Sequence, residues 1–180
     1  MSMKEWIVST DKLAEKAPLM HAGDMVLLSG IVYTSRDAAH KRIFSLLENK
    51  EPLPFNLQHA VIYYSGSTPA KPGMPIGSCG PTTSGRMDVY TPRLYDLGVC
   101  ATIGKGERSP DVLEAIQRNK ALYLCAIGGA GALSAQSVTR CDVIAFDDLG
   151  CEAVKRLEIS RFPLIVGIDC HGGNLFNLVD

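Results

Sequence analysis

No excess of either charge marks this chain. Its 180 residues carry 18 lysines and arginines against 19 aspartates and glutamates, a formal net charge of −1. That balance argues against a general nucleic-acid binder, which would show a basic excess, but it leaves room for a small basic pocket. Long apolar runs are also missing, so no stretch is suited to crossing a bilayer. Met1 to Thr10 is polar and lacks the apolar segment of a secretory leader, which points to a soluble, cytoplasmic protein with no membrane contact. The six cysteines (Cys79, Cys100, Cys125, Cys141, Cys151 and Cys170) form no C-x-x-C pair and no zinc-like spacing. They read as reduced structural thiols, and the chain is expected to bind no metal of its own. Internal repeats and low-complexity tails are absent. There is no P-loop, because Lys105 lacks both the upstream glycine and a following Ser or Thr. No Ser-His-Asp or Cys-His set follows from spacing.

What is present is an ordinary globular composition, 46% hydrophobic and 21% charged. The length suits a single domain over residues 1–180. Asp24 to Tyr33, His59 to Tyr64, Val99 to Ile103, Ala121 to Ile127, Cys141 to Phe146 and Pro163 to Ile168 read as strands. Between them lie helix patterns. One runs from Ser35-Arg36-Asp37 to about Leu47, with Ser35 as candidate cap. A short one starts at Thr91-Pro92 and ends at Gly98. Another runs from Ser109-Pro110-Asp111 to about Lys120. The alternation gives an α/β class. Ser65 to Gly80 is a long Gly/Pro/Ser/Thr loop, and such loops are often functional.

That loop ends in Gly80-Pro81-Thr82-Thr83-Ser84-Gly85-Arg86-Met87-Asp88. Pro81 suits a first helical turn, and Thr82 and Arg86 would share a face if the segment is helical. A hydroxyl, free amides and a guanidinium would then converge on a small anion. A capped helix start with a surface arginine is the competing reading. Arg36 follows a strand at a helix start, and Lys105 lies between Gly104 and Gly106. Ends of strands are where α/β proteins place ligands. Taken singly, each cation reads as a solvated surface charge; it is the three with this placement that point to an anion site. Gly129 to Ser134 nearly matches a dinucleotide fingerprint, with Ser134 in place of the third glycine. His40 and His59 read as helix-face and strand residues, and His171 as a turn residue.

Together these segments resemble the β subunit, or C-terminal region, of class I iron–sulfur fumarate hydratases and the related L-tartrate dehydratases. The resemblance is carried by Ser35 to Arg42, Gly80 to Asp88, Ile103-Gly104-Lys105-Gly106, Gly128-Gly129-Ala130, Leu149 to Ala153 and Phe162-Pro163. It implies a swivelling β/β/α-type domain with a mixed sheet and flanking helices. It implies a catalytic Thr82 and substrate-binding Arg36, Arg86 and Lys105; Asp37, Asp88 and His40 read as structural cap or salt-bridge groups, with support of the site as the alternative. It implies a 4Fe-4S cluster bound by a partner α subunit, with one iron open to a small dicarboxylate. The assembly would be a hetero-oligomer (α2β2), or a homodimer when the chain is isolated. Fumarate/malate is the favoured substrate and L-tartrate the alternative. Two further readings are a non-catalytic binding or regulatory subunit and a dinucleotide-binding domain. Two positions depart from the family pattern: Cys151 stands where methionine is expected, and Asp169-Cys170-His171-Gly172-Gly173-Asn174 replaces an Asp-Asp-Lys-Gly-Asn string.

Overall fold

The computed structural model describes residues 3–126 and 131–178. In chain order the elements are β1 (Glu5–Ser9), α1 (Thr10–Lys16), β2 (Met25–Thr34), α2 (Asp37–Glu48), β3 (Val61–Tyr63), α3 (Thr91–Asp96), β4 (Ala101–Gly104), α4 (Pro110–Asn119), β5 (Leu122–Cys125), α5 (Gly131–Gln136), β6 (Val138–Ala145) and β7 (Val154–Ile168). Strands β1 to β5 lie side by side in parallel, and β7 runs antiparallel to β2, β5 and β6.

The 15-residue β7 is what closes this mixed sheet. Its first part pairs with both β6 and β2, and its last residues pair with β5. One strand serves three neighbours because both β7 and β2 bend at the same level. The β2 register shifts between Leu28 and Gly30, and opposite it Arg161 takes a positive φ while its N–H donates to Ser29 Oγ. A bulge of this kind adds twist and redirects a strand. Gly30 is needed there, since its φ is +120° and a Cβ would overlap the Thr10 hydroxyl.

Side-chain alternation sorts the interior into two layers. Val61 and Tyr63, Ala101 and Ile103, and Leu122 and Leu124 face a cluster completed by Leu157, Phe162 and Val166 of β7. Ile62, Tyr64 and Tyr123 face the opposite way, into a cluster with Ile43 of α2, Leu94 of α3 and Ile116 of α4. The α/β class with a mixed sheet and flanking helices is therefore the observed one.

Several local expectations are corrected. Ser35 does not cap α2. Arg36 is the capping residue, and the Ser35 hydroxyl is turned onto His40 Nδ1. His59 precedes β3 in a left-handed turn (φ 60°). Glu5–Ser9, within the segment read as polar and assigned no strand, forms β1, and β7 begins at Val154 rather than Pro163. No helix among the described residues is long and apolar enough to cross a membrane.

Candidate active site at the strand ends

Strands β2, β3 and β4 end level with one another. Thr34 is in register with Tyr63, and Tyr63 with Ile103. Arg36 and Lys105 each lie two residues past these positions, so both emerge at the C-terminal edge of the sheet, where open α/β sheets bind ligands. Between them runs Pro81–Ser84, extended rather than helical through Thr83. Thr82 N–H donates to Tyr64 C=O (2.8 Å) and Ser84 N–H to Lys105 C=O (2.9 Å). Single β-bridges pair Ser65 with Pro81 and Thr83 with Lys105. The expected helix is reduced to a 3-10 turn at Ser84–Met87. Gly104 permits this arrangement, since a Cβ there would overlap the Ser84 hydroxyl.

The turn nevertheless brings Arg86 back onto Thr82. Arg86 Nη2 donates to Thr82 Oγ1 at 3.1 Å and to Asp37 Oδ2 at 2.9 Å. Arg86 and Asp37 are both about half exposed, with side-chain exposures of 48% and 45%. Partial burial opposes ionisation of Asp37, but the Arg86 hydrogen bond and charge outweigh it and hold the carboxyl below its ordinary range.

Arg36 and Lys105 flank this pair without touching Thr82. The Arg36 guanidinium lies against Gly66, where a Cβ would come within 2.7 Å of Nη1. Its Nε is buried with no hydrogen-bond partner and stands 4.0 Å from Glu152 Oε1. A buried N–H without a partner is costly and suits a site completed by an incoming acceptor. Lys105 is exposed and forms no ion pair among the described residues.

Two buried groups hold the surroundings. His40 lies against Tyr64 and Tyr90, and its Nδ1 contacts the Arg36 carbonyl (2.9 Å) and Ser35 Oγ (2.8 Å). Burial is the main cause that lowers its pKa to about 4, so the ring is neutral. Asp88 is engaged structurally. One of its oxygens accepts from Arg108 Nε (2.7 Å) and the other from Ser109 N–H (2.6 Å). The sequence did not single out Arg108, Tyr123 or Glu152. Nothing local marks Arg108 as buried; for Tyr123, a phenol inside an apolar strand was a usable signal, because a buried hydroxyl needs a partner.

The cysteines do not form a ligand set. No group of three or more metal-binding side chains occurs among the described residues. Burial pushes the Cys79 thiol up to about 11 and Cys100 up to about 12, so both are protonated, whereas cluster ligation needs thiolates. The described residues therefore hold no ready ligand set for an iron–sulfur cluster. His171 lies in a turn, with Nε2 against the Pro18 carbonyl. Of the near-dinucleotide string and the Gly128-Gly129-Ala130 match, residues 128–130 lie outside the described residues, and Gly131–Ser134 opens the six-residue α5.

Comparison with known proteins gives a consistent result. A family model described as Fumarase C-terminus matches residues 3–179. A putative L(+)-tartrate dehydratase subunit beta from Methanocaldococcus jannaschii is 40% identical over 177 residues, covering 94% of this chain and 91% of that one. The L(+)-tartrate dehydratase subunit beta of Escherichia coli is 34% identical over 174 residues, 94% of this chain and 85% of that one. Fumarate hydratase 2 of Leishmania major is 36% identical over 169 residues, 93% of this chain but only 30% of the relative. The chain thus spans nearly all of the two named beta subunits and under a third of the fumarate hydratase.

Proposed function

The chain belongs to the Fumarase C-terminus family, and on that premise we propose that it is the β subunit of a hydro-lyase that reversibly hydrates fumarate to L-malate. It is read as a single cytoplasmic domain over residues 1–180 that supplies half of an active site. The other half, with the 4Fe-4S cluster, is assigned to an α subunit in an α2β2 assembly. The observation that carries the reading is the Arg86–Thr82 contact at the strand ends, flanked by Arg36 and Lys105.

In this reading Arg36 and Arg86 hold the two carboxylates of the substrate, and Lys105 adds a compact third charge. Fixing both carboxylates orients the C–H bond beside one of them. In the dehydration direction that proton leaves, the C–H electron pair forms the double bond, and the C–O bond on the neighbouring carbon breaks, its electron pair staying on the departing oxygen, which takes up a proton and leaves as water. Negative charge builds on the carboxylate next to the deprotonated carbon, and the cations stabilise it there. Thr82 is the hydroxyl through which the proton passes. Its own pKa is far too high for a free base, so it needs an acidic group from the partner. The Arg86 N–H on Thr82 Oγ1 favours transient negative charge on that oxygen.

L-tartrate is the second reading. It is favoured by the likeness to tartrate dehydratase beta subunits over nearly their whole length.

The test is anaerobic co-expression with the cluster-bearing partner and assay of fumarate hydration and L-tartrate dehydration. Arg86→Ala and Thr82→Val should abolish turnover while the complex still assembles. For Arg86, losing its pairing with a substrate carboxylate enclosed between the two subunits costs about 2–5 kcal/mol, which at about 1.4 kcal/mol per decade is roughly 30-fold to several thousand-fold. Near-normal rates in both variants would refute the assignment.

A further inference from the structure

We propose that Arg108, locked onto Asp88, is a positioning residue that sets where Lys105, the third positive contact to the substrate, stands relative to the carboxylate-binding Arg86. This rests on the hydro-lyase reading above.

Arg86 sits in the 3-10 turn Ser84–Met87, and Lys105 in the loop after β4. The two segments are fastened to each other at three points. Ser84 N–H donates to Lys105 C=O. The Tyr123 hydroxyl joins Ser84 Oγ to Gly106 C=O, at 2.9 Å on each side. The Asp88 carboxylate, directly after the turn, binds the Arg108 side chain and the Ser109 amide at the far end of the loop. Only the last point involves charge, and it is buried: the Arg108 side chain is 0% exposed and that of Asp88 11%.

Arg108 has further anchors. Nη1 donates to Thr102 Oγ1 (3.2 Å), and Nη2 donates to Thr91 Oγ1 (2.9 Å) and Tyr64 Oη (3.4 Å). Its guanidinium also lies over the rings of Tyr64 and Tyr123. One planar fork thus ties the Lys105 loop to β3, β4, β5, α3 and the Arg86 turn together. A lysine carries the same charge as a point with no fork geometry and cannot reproduce this set. Lys105 itself is exposed, so its position is set by its backbone.

The test is a double-mutant cycle in the assembled, cluster-loaded complex, reading kcat and KM for L-malate dehydration. Arg108→Lys should lower kcat/KM by about 10- to 100-fold, the scale of a misplaced binding group. In a Lys105→Ala background the same change should cost less than about threefold, because the contact it positions is already gone. A full, additive loss in that background would show a merely structural Arg108 and overturn the proposal. A Lys105→Ala variant with normal kinetics would instead defeat the site reading on which it rests. If Arg108→Lys does not assemble, Asp88→Asn keeps the side-chain shape, removes the charge and is held to the same criterion.

Discussion

Lowering the pH should destabilise this protein through His40 before its carboxylates titrate. The ring is fully buried, and burial is the largest of the influences on it. The Arg36 carbonyl and Asp37 favour the proton, and Arg108 opposes it. The net result is a folded-state pKa of about 4 against 6.5 in the unfolded chain. Between these values the unfolded chain binds a proton that the folded chain refuses, so stability rises with pH across the window. The contribution is intact above about pH 6.5 and lost as the pH falls towards 4. At about 1.4 kcal/mol per unit, the full window amounts to about 3 kcal/mol, a large part of an ordinary domain's stability. Asp24 and Asp37, whose carboxyls are held low, withdraw their stabilisation as the pH falls through and below the ordinary carboxylate range, from about pH 5 down. The interval from about pH 5 to 6.5 therefore isolates the imidazole. Urea unfolding at half-unit steps, for the natural chain and for His40→Asn, measures the effect. The natural chain should lose stability on acidification and the variant should be nearly flat after subtraction of their common slope. Parallel curves across the window would refute the assignment of a buried neutral His40.

Other consequences are as direct. Tyr123→Phe leaves Ser84 Oγ and the Gly106 carbonyl short of a partner and should cost about 1–3 kcal/mol, read as a lower urea midpoint. It should also raise KM for the dicarboxylate, because one of the three links between the Arg86 turn and the Lys105 loop is lost. Among the thiols, exposed Cys151 should alkylate first at pH 8, while Cys79 and Cys100, buried and raised to about 11 and about 12, should resist until the chain unfolds. Peptide mass spectrometry after brief iodoacetamide treatment distinguishes these sites, and early labelling of Cys79 would contradict its buried environment.

The strands most legible in the sequence were those with apolar side chains on both faces, although the partly exposed β6 was also read in part, from Cys141 onward. Val61–Tyr63 and Leu122–Cys125 are covered by one cluster on each side, so they appear as uninterrupted apolar runs. Strand β1 was missed because only part of it is buried: Val8 is covered, whereas Ile7 is exposed on the sheet edge. The first half of β7 was missed for a related reason. Lys155, Arg156 and Glu158 interrupt its apolar pattern, and its pairing partners are β2, over a hundred residues away, and β6. Such partners leave no local trace.

At the site, Thr82 and Arg86 meet as the four-residue spacing suggested, but by a different path. A helix would have placed them one turn apart on a shared face. In the structure an extended Pro81–Thr83 is held by the ends of β3 and β4, and a single 3-10 turn then folds Arg86 back. The path has a functional consequence. A helix would have consumed the Thr82 and Ser84 amides or directed them along its own axis, whereas here both are committed to neighbouring strand ends. In the proposed site, binding of an anion would therefore rest on the side-chain cations, not on a helix N-terminus. Affinity for a dicarboxylate should accordingly fall steeply when Arg86 loses its charge and fall little when the backbone of the turn is altered by Gly85→Ala, whose added Cβ meets only the Glu107 carbonyl, at 3.9 Å. A large loss of binding in Gly85→Ala with Arg86 intact would mean that the turn amides, not the guanidinium, hold the substrate.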